Sequence, residues 1–247
     1  MTSAGGAEVA ARAPFEACIR TSEGEARREL AGMPLDQLRR CSPVRRPAVY
    51  RRQHHMPGRW FSTTAGRFLD YESLLERDWM LMMDFDREVS SICEQPLRLH
   101  YIKGGRPASH VPDLLVWRRG RPELCDVKSE ERLEDPGFEV QVEATQTACA
   151  QAGLGYRVLS EPEPQLLANV RCLAGFRAPP ADPDGERGQI LSVLSIGPST
   201  IAELMALSSE PALARPVLMH LLWGGEAEAD LTRPLREDSH IRLGADC

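Results

Sequence analysis

Apolar positions keep the helical period most clearly between Asp70 and Asp86. Leu74, Leu75, Trp79, Met82 and Met83 recur with polar residues between them, which predicts a helix closing near Asp84-Phe85-Asp86. The pattern then shortens. Residues 94–101 alternate, 111–117 and 122–128 are short apolar runs, and Lys103-Gly104-Gly105 and Arg119-Gly120 supply turns between them. Three successive strands are the reading. Residues 138–152 return to helical spacing, 156–159 form a fourth strand and 163–173 another helix. That order implies an α/β fold, a mixed sheet flanked by helices.

Outside this block the pattern is weaker. Residues 1–35, rich in Ala, Gly and Glu, are expected to be poorly ordered or marginally helical. The stretch from 36 to 69 is broken by Pro43, Pro47 and Pro57, so extended chain is expected there. Residues 178–185 are a linker by composition. Beyond it, 188–195, 200–207 (with Ser199 as N-cap) and 212–223 read as helices. Gly224-Gly225 then precedes two short strands, 229–235 and 240–243. Three helices and a ribbon outline a winged helix. The expected division is therefore 1–35, a basic arm and core at 36–178, a linker at 179–188 and a small domain at 189–247.

Charge changes the picture. The net value is −6, which taken alone argues against a nucleic-acid partner. Yet from Gln37 to Leu69 there is no acidic residue, while Arg39, Arg40, Arg45, Arg46, Arg51, Arg52, Arg59 and Arg67 all fall inside. The local field is what a phosphate backbone meets. Tyr50, Trp60 and Phe61 interleave with these arginines, and His54 and His55 add to them. A solvated basic arm without a partner is the competing reading. The C-terminal domain is the reverse, with eight acids from Asp182 to Asp230 against Arg187 and Arg215. It reads as protein-binding rather than DNA-reading.

Composition narrows the setting. No apolar run approaches the roughly 20 residues needed to span a bilayer, and the first residues carry no apolar signal core. Seven cysteines are scattered without a C-x-x-C pair. Reduced thiols in a cytoplasmic protein are expected, not a disulfide framework or a zinc ribbon.

The candidate chemistry lies in Asp126-Val127-Lys128. Of 30 lysines and arginines only two are lysines, Lys103 and Lys128. Lysine is the cation with a compact, tunable head. Strand alternation puts Asp126 and Lys128 on one face, and Asp113, behind Pro112, can be brought beside them by the neighbouring strand. Alone, Pro-Asp is a turn and Asp-Val-Lys an exposed strand face. Together they converge two carboxylates, an arrangement that calls for a cation. Glu72 and Glu76, one helical turn apart, are candidates for a third ligand. Glu76 is favoured because the flanking Leu74-Leu75 must face the sheet. Oxygen ligands select Mg²⁺ or Mn²⁺, one ion or two, held by Glu76, Asp113, Asp126 and the Val127 carbonyl. Lys128 would orient or deprotonate water, or offset charge at phosphorus. Gln95 and His110 are candidates for contacting a phosphate, with plain strand roles as the alternative.

The set Glu76, Pro112-Asp113 and Asp126-x-Lys128 resembles the PD-(D/E)xK nuclease superfamily. The segments Tyr71 to Asp78, Glu94-Gln95-Pro96, His110-Val111-Pro112-Asp113, Asp126-Val127-Lys128, Glu161-Pro162 and Asn169 to Arg177 narrow it to a resemblance to the TnsA transposon-end endonucleases, over roughly residues 45–177. The resemblance implies a restriction-endonuclease-like core and a C-terminal winged-helix domain. It implies nicking of double-stranded DNA at a transposon's 5′ ends beside a DDE-type transposase, TnsB, with an AAA+ regulator, TnsC, on the C-terminal region. It also implies metal-site roles for Glu76, Asp113, Asp126 and Lys128, although some relatives carry Gln where Asp126 stands. Arg45, Arg46, Arg51, Arg52, Arg59 and His110 are the candidate DNA contacts. The other readings are a stand-alone restriction or repair nuclease and a non-catalytic DNA-binding adaptor.

Overall fold

Sparse alternation sets the first strand. In β1 (Glu16–Thr21) Ala17 and Ile19 are buried while their neighbours are not. β2 (Gly24–Glu29) pairs antiparallel with it, and charges are matched across the pair, Arg27 with Glu16 at 2.6 Å and Arg20 with Glu25. Residues 15–35 are thus structured, contrary to expectation. Their buried set, Ala17, Ile19, Leu30 and Met33, is too thin to leave a periodic signal. The computed structural model describes residues 15–45, 56–182 and 185–245. It divides into two compact units, Met1–Glu161 and Pro162–Cys247.

In the first unit, helix α1 (Leu35–Arg39) stands where extended chain was expected, anchored by buried Leu38. β3 (Gly58–Ser62) and β4 (Arg67–Tyr71) form an antiparallel ribbon. The Asp84 carboxylate accepts from Ser62 Oγ at 2.8 Å and from the Thr63 and Thr64 amides, fastening the ribbon's turn. Asp84 belongs to α2 (Leu74–Phe85), which begins at Ser73, whose hydroxyl accepts from the Glu76 amide, and ends where the pattern predicts.

Next come β5 (Val89–Glu94), β6 (Leu97–Lys103), β7 (Arg106–His110), β8 (Leu114–Arg118), β9 (Arg121–Val127), α3 (Phe138–Ala152) and β10 (Gly155–Leu159). They complete two four-stranded sheets, ordered β2-β1-β6-β7 and β10-β9-β8-β5. In the second, β5, β8 and β9 run antiparallel and β10 lies parallel to β9, so the mixed sheet is present. The single strand expected over 94–101 is two strands in different sheets. Gln95, at φ 46°, breaks it. Alternate residues feed two cores. Leu115 and Leu124 face Ala148 and Cys149 of α3 together with β1 and β6. Leu114, Val116 and Cys125 face Met80 and Met83 of α2. Each fully buried leucine here contributes roughly 1.5–3 kcal/mol.

The second unit holds α4 (Pro164–Leu173), α5 (Glu186–Ile196), β11 (Ser199–Thr200), α6 (Ile201–Met205), α7 (Pro211–Gly224), β12 (Ala227–Ala229) and β13 (His240–Leu243), with strand order β11-β13-β12. The sequence assigns α4 to the nuclease core, but side-chain bonds tie it here. Asn169 Nδ2 donates to the Leu231 and Arg233 carbonyls at 2.8 and 2.7 Å, and His220 Nδ1 bonds the Phe176 carbonyl at 2.7 Å. Thr200, not Ser199, caps α6 through a capping box with Glu203. The strand expected over 229–235 stops at Ala229, because Asp230 accepts from the Thr232 amide and hydroxyl and turns the chain. Among the described residues no helix is long and apolar enough to cross a membrane.

Candidate active site

The antiparallel register of β8 and β9 sets Leu114 opposite Cys125, so Asp113 lies just before one strand as Asp126 closes the other. The link is direct. Asp113 Oδ2 accepts from the Val127 amide at 2.7 Å, while the Asp113 carbonyl accepts from the Gln95 amide at 2.8 Å. The two halves of the sequence motif are clipped together by backbone geometry.

Glu76, Asp113, Asp126, Val127 and Lys128 all line one cleft of about 580 Å³. Glu76 sits in the first turn of α2, where its oxygens accept from the Glu72 amide at 2.9 Å and Ser73 Oγ at 3.0 Å. Burial, with help from the Glu72 charge, raises its carboxyl above the usual range. Asp113 is pushed up further. Burial comes first, then the charges of Glu76 and Asp126, with Glu72 weaker and the Val127 amide opposing. Both helix candidates border the cleft, and Glu76 acts on Asp113 more strongly than Glu72 does.

Asp126 is engaged differently. Its carboxylate meets His110 Nε2 at 2.8 and 3.0 Å, and Tyr156 donates its hydroxyl to Oδ2 at 2.7 Å. Burial and the Asp126 charge raise the Tyr156 phenol, which stays protonated and able to donate. Lys128 Nζ pairs with Asp135 at 2.9 Å and lies 5.0 Å from the Phe138 ring centroid. The Lys128 hydrogen bond holds Asp135 below the usual carboxylate range.

These donors are suited to a hard divalent cation. They are oxygens, and a cation between them would relieve the carboxylate crowding that adds to burial in raising Asp113. They do not form a closed shell. Among the described residues no three His, Cys, Asp or Glu side chains stand at metal-binding spacing; Asp126 is turned to His110 and Tyr156, and Glu76 to the Glu72 amide and the Ser73 hydroxyl. A carboxylate retains further lone pairs in such bonds, so the ligands are gathered but not preassembled.

The remaining candidates divide. Arg45 lines the cleft and pairs with Glu72 at 2.9 Å. His110 lines it as the partner of Asp126. Arg59 lies on the outer face of β3, 3.3 Å from Asp70 and stacked on Phe68. Arg46, Arg51 and Arg52, with Tyr50, His54 and His55, lie outside the described residues. Gln95 is a buried strut rather than a phosphate contact, donating Nε2 to Glu72 at 3.0 Å. Sequence reasoning missed Tyr156 and Asp135. Nothing local marks the tyrosine, whereas Asp135-Pro136-Gly137 ahead of a helix was a visible turn signal for the other.

Residues 86–161 match the family model described as TnsA-like endonuclease N terminal. The match contains Asp113, Asp126 and Lys128, starts just after α2, and ends at the last residue of the first compact unit. No curated protein matches the chain.

Proposed function

We infer, from a chain whose residues 86–161 match the TnsA-like endonuclease N-terminal family model, a Mg²⁺- or Mn²⁺-dependent DNA endonuclease that hydrolyses phosphodiesters at the 5′ ends of a transposon. The observation carrying this reading is Asp113, clipped to Val127 and raised by burial and then by two neighbouring carboxylates, in a cleft that also holds Lys128. Glu76, Asp113 and Asp126, with the Val127 carbonyl, would hold the ion. When bound, it supplies Lewis acidity toward the phosphate and an acidified water.

The chain's own groups do the rest. Lys128, kept in place by ionised Asp135 and the Phe138 ring, offsets negative charge gathering at phosphorus. Tyr156 and His110 orient Asp126, as partners behind metal ligands do. Arg45 exchanges Glu72 for an arriving phosphate. The second unit, with helices α5 to α7 and the β11-β13-β12 sheet, is read as a winged-helix-like module. Its acidity suits docking to proteins, a DDE-type transposase and an AAA+ regulator by family resemblance.

The test is nicking of supercoiled DNA bearing transposon ends, with and without a DDE-type transposase. Mg²⁺-dependent nicks at the 5′ ends, lost in Asp113→Ala, are expected. Bound but uncut DNA in the complete mixture would favour a non-catalytic adaptor, and cutting without regard to the ends a stand-alone nuclease.

A further inference from the structure

β6 and β7 form a hairpin with an unusual charge balance. From Gln95 to Pro112 there is no acidic residue. At its tip Lys103 stands directly opposite Arg106. Like charges facing each other across a strand pair are destabilising. Neither Lys103 nor Arg106 has an ion-pair or hydrogen-bond partner among the described residues, and both are exposed. The β1–β2 hairpin of the same sheet is the contrast, since Arg20 and Arg27 there each meet a glutamate.

Alternation gives these charges a direction. Arg106, Ala108 and His110 share one face of β7, with Lys103 opposite Arg106 on that face. The row starts inside the cleft, where His110 holds Asp126. It ends beside the loop that orients Lys128: a Cβ at Gly137 would lie 2.7 Å from Lys103 Nζ, and Asp135 and Phe138 on either side of that glycine carry Lys128. The chain's two lysines therefore flank one loop. Between the charges the face carries Ala108 and, directly opposite it, the half-buried Tyr101.

We infer that this face of the β6–β7 hairpin is a rail for the DNA backbone leaving the cleft, Lys103 and Arg106 each contacting a phosphate. The inference rests on the nuclease reading and goes beyond it by assigning a second DNA contact apart from the arginine-rich arm. Four strand residues at about 3.3 Å each span about 13 Å. At about 3.4 Å per nucleotide along one strand, the two charges meet phosphates about four nucleotides from the scissile bond.

The experiment compares the full-length chain with K103Q/R106Q and a control, R28Q/R121Q, which removes two exposed arginines elsewhere. Duplex binding is measured against salt in EDTA, and cutting in Mg²⁺ is measured on the same preparations. K103Q/R106Q is expected to flatten the log–log salt dependence by about 0.9 for each lost contact, and the control to leave it unchanged. Neutral methylphosphonates about four nucleotides from the cut should weaken wild-type binding and leave K103Q/R106Q indifferent. An unchanged slope in K103Q/R106Q, or an equal loss in the control, overturns the rail while wild-type cutting leaves the nuclease reading intact. Salt-dependent binding through Lys103 and Arg106 without cutting does the opposite. A wild-type chain that binds no duplex overturns both.

Discussion

The Val127 amide donates to Asp113 Oδ2 at 2.7 Å, and this bond joins the two parts of the sequence motif into one object. It fixes the Asp113 carboxyl against the end of β9, in the cleft that Asp126 and Lys128 also line. The same bond opposes the rise of the Asp113 carboxyl without cancelling it, because burial and two carboxylates outweigh one amide.

That imbalance gives a pH signature in metal-free protein. Asp113 and Glu76 hold their protons more tightly folded than unfolded. Their contribution to stability is full below the ordinary carboxylate value of about 4 and is lost as pH rises through their raised folded values. With a chelator present, Asp113→Asn should flatten this decline and raise the melting temperature at pH 7, by about 2–4 °C for each kcal/mol relieved. Mg²⁺ should stabilise the wild-type chain and not the variant. Melting curves from pH 4 to 8 check both, and a wild-type decline no steeper than that of Asp113→Asn contradicts the crowding.

Tyr156 tests the positioning of Asp126. A hydrogen bond to a charged group contributes about 1.5–3 kcal/mol, so Tyr156→Phe should lose stability in that range. Its nicking should fall about 10–100-fold at limiting metal and recover as metal is raised. A drop that persists at saturating metal would place Tyr156 elsewhere in the reaction.

Arg67 carries the anchoring of the β3–β4 ribbon. Its guanidinium binds Glu94 through two bonds of 2.8 and 2.7 Å, and the Glu94 side chain is only 3% exposed. Arg67→Ala strands that carboxylate beside Gln95. The expected cost is about 3 kcal/mol, the low end for breaking a buried pair because Arg67 is itself partly exposed. Denaturant unfolding measures it. Replacing both residues with apolar ones should recover much of the loss.

Much of this arrangement is legible in the sequence. The helical period from Leu74 gives the extent of α2 but not its buried face: Leu74, expected against the sheet, is 41% exposed, and Met80, Leu81 and Met83 are the buried apolar residues. The run over residues 138–152 gives α3, which buries Ala144, Ala148 and Cys149. The turns at Gly104-Gly105 and Arg119-Gly120 mark their hairpins because glycine takes positive φ at little cost. What escaped depends on long-range partners. β1 buries two side chains and finds its neighbour β6 far along the chain. Gln95 adopts a backbone region that its identity does not announce. The site divides likewise. Spacing brings Asp113 to Asp126, but the hold of His110 and Tyr156 on Asp126 comes from strands that meet only in the fold.

Glu76, Asp113 and Asp126 are proposed to share one hard cation. A crystal soaked in Mn²⁺ and read for anomalous scattering tests it most directly. One strong peak is expected in the cleft within coordinating distance of Asp113, with the Asp126 carboxylate turned partly from His110 toward it, and no such peak in Asp113→Asn crystals. Density at another site alone, or an empty cleft at saturating Mn²⁺, would contradict it.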